Sequence, residues 1–106
     1  MDEATFRQDV ATVIRSLGQQ LDLVDTDDMD WKLTEGVLTV EFEGGGVFVL
    51  SQQVPTRELW LSAYSRAWHF DRRDGAWLER DTRVRMDAVL SDLFTRRLAF
   101  AVTMGL

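Results

Sequence analysis

The residues most able to do chemistry are the aspartates of one short acidic run. Five of the nine residues from 22 to 30 are aspartate, namely Asp22, Asp25, Asp27, Asp28 and Asp30. Carboxylate oxygens are the hard donors that Ca²⁺, Mg²⁺, Mn²⁺ and iron ions prefer. The run lacks the mid-loop glycine and closing glutamate of an EF-hand. If Glu41 and Glu43 of the sheet lie near the run, the sequence predicts an open, weak and unselective cation site. The alternative interpretation is a solvated acidic loop without a ligand.

Other kinds of catalytic or metal site have no support in the sequence. The chain has no cysteine, which excludes disulfides, thiolate metal sites and a cysteine nucleophile. It has one histidine, His69, and its serines lie in no nucleophile elbow or triad pattern. The glycines at 44–46 are not followed by the Lys-Ser/Thr of a phosphate-binding loop. We therefore expect a binding protein rather than an enzyme.

The charge of the chain is uneven. The net charge is −6, but residues 1–43 hold 11 acids and 3 bases, whereas residues 44–106 hold 7 acids and 9 bases. An acidic first region argues against nucleic acid as a ligand and favours cations or a basic protein surface. No apolar run approaches the length of a membrane span, and the first residues lack the apolar segment of a signal peptide. We expect no membrane partner.

The acidic run must be positioned by the elements on either side of it. Before it, apolar residues recur at steps of three and four over residues 4–24, which predicts an amphipathic helix. These residues are Phe6, Val10, Val13, Ile14, Leu17, Leu21 and Val24. Gly18 lies inside this helix and lowers its expected stability by about 1 kcal/mol relative to alanine. After the run, Met29, Trp31 and Leu33 alternate with polar residues and predict a short strand.

A β-hairpin is predicted at the centre of the chain. Residues 38–43 alternate between apolar and polar, and residues 44–46 are glycines that accept positive φ in a short loop before the next strand. Pro55 cannot donate to a sheet ladder, so it separates this hairpin from a third strand. In that strand Leu59 and Leu61 are expected to face the core, which turns Trp60 to the outer face.

Two interpretations are open for Trp60. Its face of the sheet is expected to include Glu41, Glu43, Ser51 and Gln53. The indole either lies flat over a neighbouring strand or acts as a docking residue, because tryptophan is enriched at interface hot spots.

The second half of the chain predicts further short strands and a final helix. Strands are expected at 68–71 and 76–79, and Thr82 is expected to cap the helix. The apolar face of that helix holds Met86, Val89, Leu90, Leu93, Phe94 and Leu98. Residues 99–106 either continue the helix or pack as a tail. We therefore predict one domain over residues 1–106 with an α+β fold. It is a two-layer α-β sandwich, with both terminal helices on one face of a five- to six-stranded antiparallel sheet.

The chain resembles the frataxin family over roughly residues 6–95. The matching segments, in order, are residues 25–30, residues 36–40, residues 53–55 followed by Trp60 and Leu61, residues 69–71, and Trp77 before the last helix. The spacings from Gly36 to Pro55 and from Trp60 to Asp71 are similar to those of bacterial, CyaY-like frataxins. The resemblance implies the same α-β sandwich.

The resemblance also implies a role in iron–sulfur cluster assembly. It implies weak binding of iron, as Fe²⁺ or Fe³⁺, with other divalent cations as further ligands. It implies docking on a cysteine desulfurase and its iron–sulfur scaffold protein, modulation of sulfur transfer, and iron donation as an additional role. The implied metal residues are Asp22, Asp25, Asp27, Asp28, Asp30 and Glu35. The implied partner-binding residues are Gln53, Trp60 and His69, and we add Glu41 and Glu43 from the outer face.

Two alternatives belong to other functional classes. One is a ferroxidase or iron-storage protein, and the other is an acidic protein-binding module that works without metal. We expect a monomer, with metal-driven oligomers as the alternative. We expect the bacterial cytoplasm as its location, or the mitochondrial matrix if the chain is eukaryotic and a transit peptide has been removed.

Overall fold

The computed structural model describes residues 1–106. In chain order the elements are α1 (Glu3–Asp22), β1 (Met29–Thr34), β2 (Val37–Phe42), β3 (Val47–Gln53), β4 (Glu58–Ala63), β5 (Arg66–Arg73), β6 (Ala76–Glu79) and α2 (Met86–Leu98). A 3-10 turn, Val54–Thr56, holds Pro55 between β3 and β4. The strands form one antiparallel sheet in the order β1-β2-β3-β4-β5-β6. The predicted α+β sandwich is confirmed, and the sheet has six strands.

Alternation along the strands decides which face of the sheet is buried. Leu38, Val40 and Phe42 of β2 are buried, as are Leu59 and Leu61 of β4. Both helices cover this same face. From α1, Phe6 meets Trp77 of β6 at 6.2 Å between ring centroids. From α2, Phe94 meets Phe42 and Phe48 at 6.1 and 5.3 Å. The other face of the sheet is left to solvent.

The first helix follows its predicted apolar stripe but ends earlier than predicted. Asp2 caps its N-terminus, accepting the N–H of Thr5 at 2.7 Å. The helix ends at Asp22, and Val24 packs against the core from the loop that follows. Neither helix is both long enough and apolar enough to cross a membrane.

The prediction that Thr82 caps the last helix is wrong. The cap position is Arg85, whose side chain makes no capping bond, and the helix begins at Met86. A bridge between Leu78 and Arg85 keeps the intervening residues in a turn, so the helix cannot start before it. Within that turn the Glu79 carboxylate accepts the N–H groups of Asp81 and Thr82.

Residues 99–106 pack as an extended tail and do not continue the helix. Ala99 adopts a left-handed conformation and ends α2, and Val102 and Met104 are buried in the core. Thr95 and Ser91 each bond both the N–H and the C=O of one tail residue, Val102 and Met104 respectively. The two hydroxyls thus satisfy backbone groups that would otherwise pair with a neighbouring strand.

Candidate functional site

The predicted acidic residues cluster where α1 joins β1. Asp25, Asp27 and Asp28 lie in the connecting loop, Asp30 lies in β1, and all four are exposed. With Asp22 at the end of α1, these five aspartates are called the acidic ridge. None of them forms an ion pair with a basic side chain. The ridge is therefore a concentration of uncompensated negative charge at one edge of the sheet.

The pairing of β1 with β2 brings the two predicted glutamates to the ridge. Asp30 lies opposite Glu41, and the N–H of Glu43 donates to the C=O of Asp28 at 2.7 Å. Glu41 is partly neutralised, because Lys32 approaches its carboxylate to 3.1 Å. Both members of that pair are well exposed, so the contact is weak. Glu43 extends the ridge as a free charge.

Asp22 differs from the other ridge residues because a neighbour holds its carboxylate. Trp31 Nε1 donates to Asp22 Oδ1 at 2.8 Å. The indole reaches that position because Gly18 leaves space for it: a Cβ added at Gly18 would lie 2.8 Å from the ring. Gly18 lowers the intrinsic stability of the helix, but its missing side chain gives the Trp31 ring of the adjacent strand room to pack. This contact links α1 to β1 and fixes the first carboxylate of the ridge.

Glu35 lies at the other end of β1 from the aspartate loop. It forms the turn between β1 and β2 with Gly36, and both residues have positive φ, 50° and 78°. The rise along a strand places it about 17 Å from Asp30. Glu35 lines a groove of about 520 Å³ between α1 and β1, together with Trp31. Any metal contact by Glu35 would be separate from one at Asp28 and Asp30.

The ridge offers hard oxygen donors but no closed coordination shell. No three carboxylate or imidazole groups of the chain converge closely enough to hold one metal ion. This donor set fits a cation that keeps most of its water and is held by the summed field of several carboxylates. It does not fit a structural metal centre with an inner shell supported by hydrogen bonds.

Three of the five predicted partner-binding residues, Gln53, Trp60 and His69, come together on the outer face of the sheet, whereas Glu41 and Glu43 lie at the ridge. Trp60 of β4 lies opposite Ser51 of β3 and His69 of β5. The indole meets the His69 ring edge-on at 4.7 Å between centroids and is 36% exposed. Gln53 Nε2 donates to Ser51 Oγ at 3.3 Å. Gln53, Trp60 and His69, with Ser51, form a surface that we call the tryptophan patch.

A buried carboxylate missed by the sequence analysis holds the tryptophan in place. Trp60 Nε1 donates to Glu58 Oε1 at 3.0 Å, and Arg80 approaches the same oxygen at 3.5 Å. Glu58 is only 5% exposed although it lies on the outer face. The indole is therefore held by a hydrogen bond within β4 and packs against His69 of the neighbouring strand β5, and its role as a docking residue stays a prediction. The strand period that places Glu58 and Trp60 on one face was the available signal.

A second buried carboxylate supports the patch from beneath. Glu79 accepts N–H bonds from His69 at 3.1 Å, from Asp81 at 2.8 Å and from Thr82 at 3.1 Å. Burial raises the pKa of Glu79, but these backbone donors outweigh burial and the pKa lies below its usual value. The ionised carboxylate therefore fixes the β6–α2 turn and the backbone of His69.

Comparisons with a family model and with individual proteins agree with each other. The model of the frataxin-like domain matches residues 1–99. The iron–sulfur cluster assembly protein CyaY of Pseudomonas aeruginosa is 38% identical over 96 residues, covering 86% of this chain and 85% of that protein. The protein of the same name from Tolumonas auensis is 29% identical over 105 residues, covering 99% of this chain and 100% of its own length.

Solved structures show the same fold. Frataxin from Psychromonas ingrahamii superposes with a TM-score of 0.92 at 20% identity, and the match covers all of both chains. Trimeric yeast frataxin, described as complexed with ferrous iron, superposes with a TM-score of 0.69 at 24% identity over 93% of this chain and 88% of that one. At these identities the likeness concerns architecture alone.

Proposed function

This chain belongs to the frataxin family, and on that premise we propose that it is an accessory protein of iron–sulfur cluster assembly. It binds iron weakly at the acidic ridge and docks on a cysteine desulfurase with its scaffold protein. Through that docking it modulates sulfur transfer, and it can donate iron. The protein itself carries out no catalytic step. The names of the curated relatives support the pathway, and the two surfaces described above support the mode of action.

The observation that carries this proposal is the pairing of a charged edge with a fixed aromatic anchor. The ridge supplies an exposed field of carboxylates that attracts cations and basic protein surfaces. Its open donor set suits an ion that must be released again, as a donor requires. Iron is thus cargo on this surface, and the protein's part is to concentrate it without enclosing it.

The tryptophan patch supplies the part of the interface that depends on shape. Trp60 is half-exposed, large and held by Glu58, so little side-chain freedom is lost when a partner covers it. Aromatic residues with such limited freedom are typical of interface hot spots. Ser51, Gln53 and His69 surround the indole with hydrogen-bonding groups, which suits the polar rim of an interface. We assign this patch to the protein partner rather than to metal.

The experiment that tests the proposal is an interferometry titration against a cysteine desulfurase with its scaffold protein, with and without Fe²⁺ and across salt concentration. We expect binding whose association slows as salt rises, because exposed charges are screened beyond about 8 Å at physiological ionic strength. Desulfurase turnover should change on saturation. Absence of binding under every condition would refute the docking role and would leave iron handling as the function.

A second candidate function follows from the spread of the ridge carboxylates. Because no three of them converge on one point, the ridge suits a basic protein surface at least as well as a metal ion. The chain would then be an acidic binding module that needs no metal. Equal affinity for the desulfurase in the presence of a chelator would favour this module over the iron-dependent mode.

A further inference from the structure

The side of the sheet opposite the acidic ridge has a strand edge that is only partly paired. β6 pairs only with the second half of β5, Phe70–Arg73. The first half of β5, residues 66–69, therefore has a strand neighbour on one side only, which is β4. We infer that this bare edge, with the groove beside it, binds an extended acidic segment of another protein by strand addition.

The backbone of Ala67 supplies the free donor and acceptor of this edge. The C=O of His69 accepts the N–H of Arg80 at 2.9 Å, and the N–H of His69 donates to Glu79 at 3.1 Å, so His69 points toward the β6 side. Alternate residues of a strand turn their backbone groups to the same side, so Ala67 does so as well. No strand continues beyond Glu79 to pair with it. An incoming strand on the line of β6 would meet both groups.

The groove beside this edge has an apolar floor. It lies between β5 and α2, has a volume of about 470 Å³, and includes Val89 and Leu93. Trp68 is half-buried in its wall, while Val84 and Tyr64 are 44% and 54% exposed. In strand addition the backbone bonds give affinity, and pockets for alternate side chains give specificity. This groove can take the apolar side chains of the added strand.

The charges around the groove select an acidic partner. The Arg66 guanidinium lies 4.7 Å from the centroid of the Trp68 ring and has no carboxylate partner. Arg96 lines the groove beside Asp92, the one acid there, at 3.2 Å in an exposed pair. The local charge is positive in a chain whose net charge is −6. Complementarity therefore favours glutamate or aspartate in the segment that docks.

The test uses ¹⁵N-labelled protein and a short capped peptide in which glutamate alternates with valine and leucine. We expect the amide signals of Ala67, Trp68 and Val84 to shift. The same peptide with lysine in place of glutamate should bind about tenfold more weakly. Equal affinity for the two peptides, or no shift at these amides, would overturn the proposal. Shifts that grow with protein concentration alone would assign the edge to a second copy of this chain and would also overturn it.

Two variants of one residue isolate the backbone contact. Ala67→Pro removes the free N–H, and proline is tolerated on an edge strand when that N–H faces outward. Ala67→Ser keeps it and is the matched control. We expect the proline variant alone to lose about tenfold in affinity for the glutamate peptide. If Ala67→Pro does not fold, a peptide N-methylated at its central residue removes the donor from the other partner. Unchanged binding in whichever of these two comparisons is made would exclude strand addition.

Discussion

The acidic ridge and the tryptophan patch differ in how their polar groups are held. Asp25, Asp27 and Asp28 are exposed and form no ion pair, whereas Trp60 Nε1 is bound to Glu58, which Arg80 approaches in turn. The ridge thus exposes charged groups that few contacts hold in position, whereas the patch holds an uncharged indole in a fixed orientation. Charge governs how fast a partner arrives and how strongly salt interferes, whereas packing governs how long the partner stays.

The largest effect is expected from Trp60→Ala. Truncating an anchor tryptophan costs about 2 kcal/mol or more, so binding to the desulfurase complex should weaken about thirtyfold. Interferometry should show the change mainly in dissociation, with little dependence on salt. Phe100→Ala removes another exposed aromatic ring, 41% exposed on the tail, and is the matched control. Equal dissociation rates for the two variants would remove the patch from the interface.

Neutralising the ridge should produce the opposite kinetic pattern. In the triple variant with Asp25, Asp27 and Asp28 changed to asparagine, association with the desulfurase should slow about tenfold at low salt. It should approach the wild-type rate at high salt, and Fe²⁺ affinity should fall. The control changes Asp74, Asp81 and Asp92 to asparagine, which alters the net charge equally. If that control slows association as much, total charge rather than the ridge is responsible.

Gly18→Ala tests the packing of Trp31, whose indole N–H binds Asp22 of the ridge. Alanine in a helix usually stabilises by about 1 kcal/mol relative to glycine. Here its Cβ would lie 2.8 Å from the Trp31 ring, and overpacking costs about 1–3 kcal/mol. We expect net destabilisation of about 1 kcal/mol in urea unfolding. Gly105→Ala meets nothing within 4 Å and should be neutral. A stabilised Gly18→Ala variant would show that Trp31 moves aside freely.

A smaller effect is expected from the residue that orients the patch. Glu58→Gln keeps an acceptor for Trp60 Nε1, whereas Glu58→Leu removes it. The loss of one such hydrogen bond should speed dissociation from the desulfurase about fivefold in the leucine variant, with the glutamine variant near wild type. Interferometry against the desulfurase gives the two dissociation rates to be compared. Identical rates would mean that the indole orientation does not depend on Glu58.

The smallest effect is a pH dependence of stability beneath the patch. The folded-state pKa of Glu79 lies below the ordinary value of 4.5. Its contribution to stability is therefore complete above pH 4.5 and is lost as the pH falls through the lower, folded-state value. The free energy of unfolding, measured with urea above and below this pH range, should fall more steeply with acidification in the wild type than in Glu79→Gln. Parallel pH profiles would contradict the ionised role of Glu79.

Much of the fold could be predicted from the sequence because alternation and helical spacing report burial directly. The stripe of α1 and the outward position of Trp60 follow from the residue period, and the β2–β3 hairpin follows from the period together with the glycines at 44–46. Val102 and Met104 of the tail also follow a period of two, but this pattern covers too few residues to distinguish an extended tail from the end of a helix. The prediction that Thr82 caps the helix is wrong because a bridge between Leu78 and Arg85 holds the intervening residues in a turn, so the helix begins only at Met86.

The candidate site was less accessible to sequence reasoning because its geometry depends on contacts across elements. No local pattern shows that Gly18 receives the ring of Trp31, or that Trp31 binds Asp22. Glu58 could have been noticed, since it shares a face with Trp60, but its contact with Arg80 from a later turn could not. The metal and partner roles of the named residues stay predictions, which the variants above test.

The position of β1 gives the ridge a further consequence for solubility. β1 is the first strand of the sheet and has a neighbour on one side only. Exposed strand edges tend to pair with other copies, and natural proteins prevent this with charged residues. Asp30 and Lys32 lie on β1, and the aspartates before it repel a second copy of the same edge. The acids that we assign to iron and to a partner therefore also guard the chain against aggregation, so cations or substitutions that neutralise them should make the protein less soluble.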